Sequence, residues 1–218
     1  MGSFPSLALD SNDNPHTSYY DGSNGDLKYA YHDGSQWNIE IVDSTGYVGW
    51  FTSIALDGND KPHISYYDST NGDLKYAYYN GSDWDIETID SEGDVGDYTS
   101  IALDSSNNPH ISYQDSTNTA LKHAYYNGST WNTETVDNTG NVGLDTSIAL
   151  DSNDKPHISY YGSTGKGADL KYAYHDGNQW HTETVDSGGF VGEFTSIAID
   201  SNDKPHISYY DSSNDNLK

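Results

Sequence analysis

Four tryptophans recur at nearly constant spacing, each after an aromatic pair and a short polar turn, as in "YYNGSDW" at residues 78–84. An indole beside tyrosine or histidine can stack on the apolar face of a sugar ring, while neighbouring polar groups bind its hydroxyls. The residues of these turns that we predict to bind a ligand are Trp37, Trp84, Trp131, Trp180, Tyr79, Tyr126, His32 and His175. The alternative is structural: each tryptophan would hold an outer strand onto its sheet.

Asp-rich turns form a second group with possible chemistry. Asp68, Asn71 and Asp73 in "DSTNGD" offer hard oxygen ligands of the kind calcium prefers. Their spacing does not match a calcium-binding EF-hand loop, and Asx side chains commonly shape turns by bonding their own backbone. We therefore expect no cofactor, with calcium at these three residues as the weaker alternative.

A "PH" pair recurs five times along the chain. Its histidines are His16, His63, His110, His157 and His206. Equivalent positions of a repeat protein stand too far apart to share one zinc ion, whose bonds to nitrogen are about 2.0–2.1 Å long. Hydrogen bonding at a turn or between repeats is the expected role of these imidazoles.

The repeat argues against a single asymmetric active site. Ser, His and Asp occur in every copy, and the chain has no Arg with which to clamp a sugar carboxylate. Pairs of carboxylates for glycoside cleavage stay open as an alternative. We expect a protein that is not an enzyme, in which several equal weak sites combine into avid binding.

The copies themselves define the architecture. They span residues 5–51, 52–98, 99–145, 146–194 and a partial fifth, 195–218. In the second copy, "TSIALD", "PHISYYD", "LKYAYYN" and "WDIETID" alternate like strands and are separated by Gly, Asn and Asp turns. We predict "TSIALD" innermost and "WDIETID" outermost, with "SEGDVGDY" crossing to the next copy.

Four strands in 40 to 50 residues, repeated, are typical of a β-propeller. The prediction is an all-β fold: a β-propeller of about five blades in one domain, 1–218, with four complete four-stranded blades and a two-stranded half blade. Each blade would bury its faces against its neighbours.

The motif of aromatic pair, Asp or Asn, Gly, Ser, any residue and Trp resembles that of bacterial and fungal propeller lectins. It reads Tyr78, Tyr79, Asn80, Gly81, Ser82, Asp83 and Trp84 in the second copy. The chain differs in having Tyr where those lectins tend to have Trp, and in its "PHISYY" strand. The resemblance implies a propeller fold and carbohydrate as ligand.

Charge and composition limit the partners. The formal net charge is −25, from 34 acidic residues against nine Lys. Nucleic acid is excluded because its phosphates need a cationic surface, and no apolar run of 18 residues predicts a membrane span. The opening "MGSF" is like an expression leader rather than a signal peptide, so it leaves the location unknown; we favour an extracellular or cell-surface one.

The favoured function is therefore a non-catalytic, multivalent, lectin-like carbohydrate-binding propeller. The alternative is a protein-interaction or structural scaffold, engineered or excerpted from a longer repeat array. Because the fifth copy stops early, its second strand, 205–211, would be an open edge. Open edges recruit partner strands, so we predict a homodimer through this half blade.

Overall fold

The computed structural model describes residues 2–163 and 167–218, and within them the regular structure is entirely β-strand. Nineteen strands form five antiparallel sheets, four with four strands and one with three. The described part contains no helix long and apolar enough to cross a membrane. The predicted all-β propeller of about five blades is confirmed.

Each sheet is one blade, in which neighbouring strands follow one another in sequence. Blade 1 has β1 (Gly2–Leu9), β2 (Pro15–Asp21), β3 (Asp26–His32) and β4 (Trp37–Asp43). Blade 2 has β5 (Val48–Leu56), β6 (Pro62–Asp68), β7 (Asp73–Tyr79) and β8 (Trp84–Asp90). Blade 3 has β9 (Val95–Leu103), β10 (Pro109–Asp115), β11 (Ala120–Tyr126) and β12 (Trp131–Asp137). Blade 4 has β13 (Asn141–Leu150), β14 (Pro156–Ser163), β15 (Ala168–His175) and β16 (Trp180–Asp186), and blade 5 has β17 (Val191–Ile199), β18 (Pro205–Asp211) and β19 (Asn216–Leu217).

The predicted strands are present, but two boundaries differ. The inner strand of blade 2 begins at Val48, not Thr52, because a β-bulge lets the "VGWF" segment continue the pairing with β6. The expected linker is therefore shorter than the sequence pattern suggested. Blade 5 also has a third strand of two residues, in which Leu217 pairs with Tyr210, where the sequence predicted two strands only.

Blades bury their faces against each other, as the alternation of side chains predicts. Between blades 1 and 2, Leu27 and Tyr29 pack against Ile64 and Tyr66. Tyr66 and its counterparts Tyr113 and Tyr160 are completely buried. Burial of aromatic area at every junction supplies the core that a chain sparse in Leu, Ile and Val needs.

A buried carboxylate connects adjacent blades at each complete junction. The Asp43 carboxylate, at the end of β4, accepts hydrogen bonds from Tyr66 Oη at 2.8 Å and from Lys75 Nζ at 2.5 Å in the next blade. Asp90 repeats this arrangement with Tyr113 and Lys122 of blade 3. These carboxylates are nearly inaccessible to solvent, so the cross-blade ion pair substitutes for the water that burial removes.

The first and last blades each present an uncovered face. Leu7 of β1 is 65% exposed, whereas its counterpart Ile54 in blade 2 is 6% exposed. On β18, backbone pairing with the chain beyond it is confined to residues 209–211. The predicted homodimer through this edge remains a prediction.

Candidate functional site

Three clefts of similar composition lie between adjacent blades and have cavity volumes of about 290, 320 and 340 Å³. We call them the blade 1/2, 2/3 and 3/4 clefts. One wall consists of the histidine that opens the second strand, two aromatic residues of the third strand and a glutamate of the fourth. The opposite wall is the first turn of the following blade with the aromatic residue that precedes its hairpin.

The equivalent residues of the first wall occupy the same strand positions in each blade. In the order of the clefts they are His16, His63 and His110; Tyr29, Tyr76 and His123; Tyr31, Tyr78 and Tyr125; and Glu40, Glu87 and Glu134. From the following blade come Tyr79, Tyr126 and His175, respectively.

Strand register explains why these side chains meet. His16 lies opposite Tyr31 in the β2–β3 pair, and Tyr29 lies opposite Glu40 in the β3–β4 pair. Because side chains two residues apart share a face, Tyr29 and Tyr31 both point to blade 2 and stack with ring centroids 5.4 Å apart. Repetition of the register then repeats the wall.

The histidine is fixed by a hydrogen bond to the third strand. His16 Nδ1 lies 2.5 Å from Tyr29 Oη, and His63 Nδ1 lies 2.6 Å from Tyr76 Oη. Burial lowers the pKa of His63 to about 4, which keeps the imidazole neutral at pH 7. The expected role of these histidines, a repeated structural hydrogen bond, agrees with this geometry; their position on a cleft wall did not follow from the sequence.

The tryptophans of blades 2 to 4 contact the preceding blade as well as the aromatic residue before their own hairpin. Trp84 meets Tyr29 of blade 1 edge-to-face, with ring centroids 5.3 Å apart. Its indole N–H donates to Glu40 at 3.1 Å, which orients that carboxylate at the cleft wall. Trp131 packs on Tyr76 in the same way and itself lines the 2/3 cleft.

The predicted ligand-binding residues therefore separate into three groups. Tyr79, Tyr126, His175 and Trp131 line clefts; Trp84 and Trp180 support a cleft wall from behind. Trp37 and His32 contact each other on blade 1. Trp37 is 53% exposed there because no other described blade packs on that face. Ligand binding by these eight residues stays a prediction.

Glutamates and third-strand aromatics were missed as site residues. The blade faces were expected to be buried, so the tyrosines on them did not stand out, and Glu40, Glu87 and Glu134 are among many other acidic residues. A useful signal was present, since "WxxE" follows each of these hairpins at residues 37–40, 84–87 and 131–134. The cross-blade indole bond distinguishes Glu40 from the rest, and the His123 bond distinguishes Glu134.

The 3/4 cleft contains a substitution with chemical consequences. His123 stands where the other blades have tyrosine; its Nε2 lies 3.1 Å from His110 Nδ1, and its Nδ1 lies 3.0 Å from Glu134 Oε1. Burial lowers the pKa of His123, and the hydrogen bond from His123 lowers that of Glu134. Two imidazoles and a carboxylate thus form one chain of proton-sharing groups.

The clefts also differ in charge. Lys61 and Lys155 line the 1/2 and 3/4 clefts, whereas the 2/3 cleft has Asn108 at that position together with Asp57 and Asp85. The 2/3 cleft is consequently the most acidic of the three. The three clefts therefore need not bind the same ligand.

In the turn predicted to bind calcium, the Asp68 carboxylate oxygens accept hydrogen bonds from the turn itself. Asp68 accepts the backbone N–H of Thr70 at 3.0 Å and the side-chain amide of Asn71 at 2.9 Å. Burial raises the pKa of Asp73, as does the nearby Asp68. No group of three or more His, Cys, Asp or Glu positioned for a metal ion occurs in residues 2–163 and 167–218. Calcium binding stays an untested prediction.

No family model and no curated protein matches the sequence. Solved structures do match the fold. AofleA from Arthrobotrys oligospora superposes with a TM-score of 0.66 at 16% identity over 96% of this chain and 64% of that one. The SapL1 lectin in complex with alpha methyl fucoside gives 0.61 at 16% identity, over 96% and 73% of the two chains.

Enzymes share the fold as well. An alpha-L-arabinofuranosidase from Lactobacillus brevis superposes with a TM-score of 0.57 at 10% identity, over 96% of this chain and 83% of that one. An endo-arabinase and an ulvan lyase are also similar. The expectation that the chain is not an enzyme was wrong, because solved structures of this propeller-type fold include enzymes. At these identities the likeness concerns the fold alone, which is that of a β-propeller similar to propeller lectins.

Proposed function

We propose that this chain binds carbohydrate in the clefts between adjacent blades. The observation that supports this most is the repetition of one wall composition, aromatic rings beside a glutamate, in three clefts of 290 to 340 Å³. Aromatic faces suit the C–H face of a pyranose, and a carboxylate accepts hydrogen bonds from its hydroxyls.

The 1/2 cleft illustrates the proposed contacts. Tyr31 and Tyr79 belong to opposite walls and border one cavity. Glu40 is held by the Trp84 indole, and Lys61 is held by the Asn80 carbonyl at 2.9 Å. A sugar between the tyrosines would therefore meet an acceptor and a donor whose positions are fixed before binding, which reduces the entropy lost on association.

Several weak sites on one chain favour surfaces that carry many copies of a glycan. Simultaneous occupation of two clefts raises avidity by about 10²–10⁴ without any new contact. A homodimer, as predicted from the β18 edge, would double the number of sites. The SapL1 complex with alpha methyl fucoside makes fucosides a reasonable first probe, although that ligand belongs to a protein only 16% identical.

A glycan array followed by calorimetry tests the proposal. We expect monosaccharide binding in the clefts that weakens in Glu87→Gln and Tyr126→Ala, both in the 2/3 cleft, while Tyr47→Ala, on a 63% exposed ring outside the clefts, binds normally. Product analysis after incubation with arabinan and other polysaccharides would show whether bound sugar is also cleaved. An array without hits and silent titrations with common monosaccharides would remove the proposal.

A further inference from the structure

The inner strands carry a ring of side chains in an unusual backbone conformation. Phe4, Phe51, Tyr98, Asp145 and Phe194 occupy the same position in five blades, with φ of 52°, 51°, 54°, 48° and 53°. Left-handed backbone costs a residue with a Cβ about 1–2 kcal/mol, and Gly or Asn would relieve it. The same strain in all five blades shows that the repeat imposes this conformation on whichever residue occupies the position.

These five side chains line one cavity of about 240 Å³ beside the inner strands. A β-bulge in each inner strand includes this residue. The threonine that follows in blades 2 to 5 is buried, and each bonds a serine of the preceding blade, as Thr52 does with Ser18 at 2.8 Å. The threonines thus anchor the ring, which leaves the aromatic residues and Asp145 as the accessible layer.

Aromatic stacking around the ring is interrupted at one position. Phe4 and Phe51 have centroids 4.6 Å apart, and Phe51 and Tyr98 have centroids 4.5 Å apart. Blade 4 then has Asp145 in place of an aromatic residue. Phe194, beyond it, contacts no other described ring and is 75% exposed, so the interruption leaves apolar aromatic surface on both sides of a carboxylate.

Asp145 lacks a cationic partner within the described residues. Its Oδ2 accepts the Phe194 backbone N–H at 3.0 Å, and the other oxygen has no such bond. Burial raises its pKa, and no described lysine or histidine offsets that effect. Asp145 and Tyr98 line the same cavity, where burial raises the pKa of Tyr98 and the charge of Asp145 raises it further.

We propose that this cavity binds a small organic cation, an alkylated ammonium group, between Tyr98 and Phe194 with Asp145 as its counter-ion. Aromatic faces attract ammonium groups by about 0.5–2 kcal/mol, and more weakly hydrated alkylated ones lose less on leaving water. The net charge of −25 concentrates cations near the protein. A calcium ion would need six to eight oxygens, and this ring offers one carboxylate.

Titration of the full chain with choline at low ionic strength tests this site, with 3,3-dimethylbutanol as the neutral molecule of the same shape. We expect choline to bind, the neutral analogue not to bind, and Asp145→Asn to weaken choline at least tenfold. Asn keeps an oxygen for the Phe194 N–H, so this variant isolates the charge. Asp145→Phe, which restores the residue type of the other blades, should also abolish binding, and circular dichroism verifies that both variants fold.

Two controls separate this site from general electrostatics and from sugar binding. Asp83→Asn removes the same charge from an exposed hairpin and should leave choline affinity unchanged. Glu87→Gln, in a cleft wall, should do the same. Equal choline affinity in Asp145→Asn, equal binding of the neutral analogue, or no binding of choline and tetramethylammonium would overturn the proposal without affecting the carbohydrate clefts.

Discussion

The Nδ1 of His123 lies 3.0 Å from the Glu134 carboxylate, in a position where blades 1 and 2 place tyrosine and make no equivalent bond. The clefts can therefore be compared within one protein, because the 3/4 cleft has this imidazole and the 1/2 and 2/3 clefts have a tyrosine in its place. His123 is 2% exposed, so adding a proton to it would place a charge in the junction. The 3/4 cleft should consequently respond to pH differently from the other two.

The first prediction concerns His123→Tyr and pH. A histidine whose folded pKa is lowered favours the neutral form, so the unfolded chain binds more protons below its pKa of about 6.5, and stability falls as pH decreases through that value. Glu134, also with a lowered pKa, loses its stabilising contribution at still lower pH. Melting temperature measured from pH 7.5 to 5 should therefore fall less in His123→Tyr than in the original protein; an equal fall in both would contradict the argument.

The second prediction compares two histidines of the same motif. The pKa of buried His63 is lowered to about 4, and the 2.5-unit difference from 6.5 corresponds to about 3 kcal/mol when the unfolded chain alone is protonated. This loss develops between about pH 6.5 and 4. His63→Gln should flatten the stability profile in that window, measured by urea unfolding. The matched control is His206→Gln, at a ring that is 68% exposed, and it should leave the profile unchanged.

The third prediction concerns the cross-blade carboxylates. Asp90→Ala leaves Lys122 and the Tyr113 hydroxyl buried without their shared acceptor, and breaking a buried pair from one side costs about 3–5 kcal/mol. Thermal unfolding should occur at a markedly lower temperature. Asp83→Ala, in an exposed hairpin, should change stability by less than about 0.5 kcal/mol. Similar melting temperatures for both variants would show that the junction does not depend on this ion pair.

Propeller layout, strand order and the side-chain faces of each strand followed from the sequence because repetition and period-two alternation are local signals. The alternation expected of "LKYAYYN" is observed, with Leu74 and Tyr76 packed towards blade 3 and Ala77 towards blade 1. The clefts could not be predicted from the sequence, because they depend on how closely adjacent blades pack. The sequence pattern does not show that Trp84 contacts Glu40, which lies 44 residues earlier; the two residues meet only at the junction between blades 1 and 2.

Bulge positions were also beyond the sequence pattern. "VGDY" looked like a linker because its Gly interrupts the alternation, yet Val95 and Gly96 are buried parts of β9. A glycine in a strand can mark a bulge or the close approach of another backbone, and only the neighbouring blade shows which applies. At Gly96 both apply.

The last prediction uses this glycine. Gly96 has φ of +106°, and a Cβ there would lie 2.7 Å from Leu74 Cα, a backbone atom that cannot move independently. Gly128 has φ of +89°, but a Cβ at that position would meet no atom within 4 Å. Both Ala variants carry backbone strain of about 1 kcal/mol. Gly96→Ala adds a collision between blades 2 and 3, so its unfolding midpoint in urea should be clearly lower than that of Gly128→Ala; equal midpoints would mean that the junction can separate to admit a methyl group.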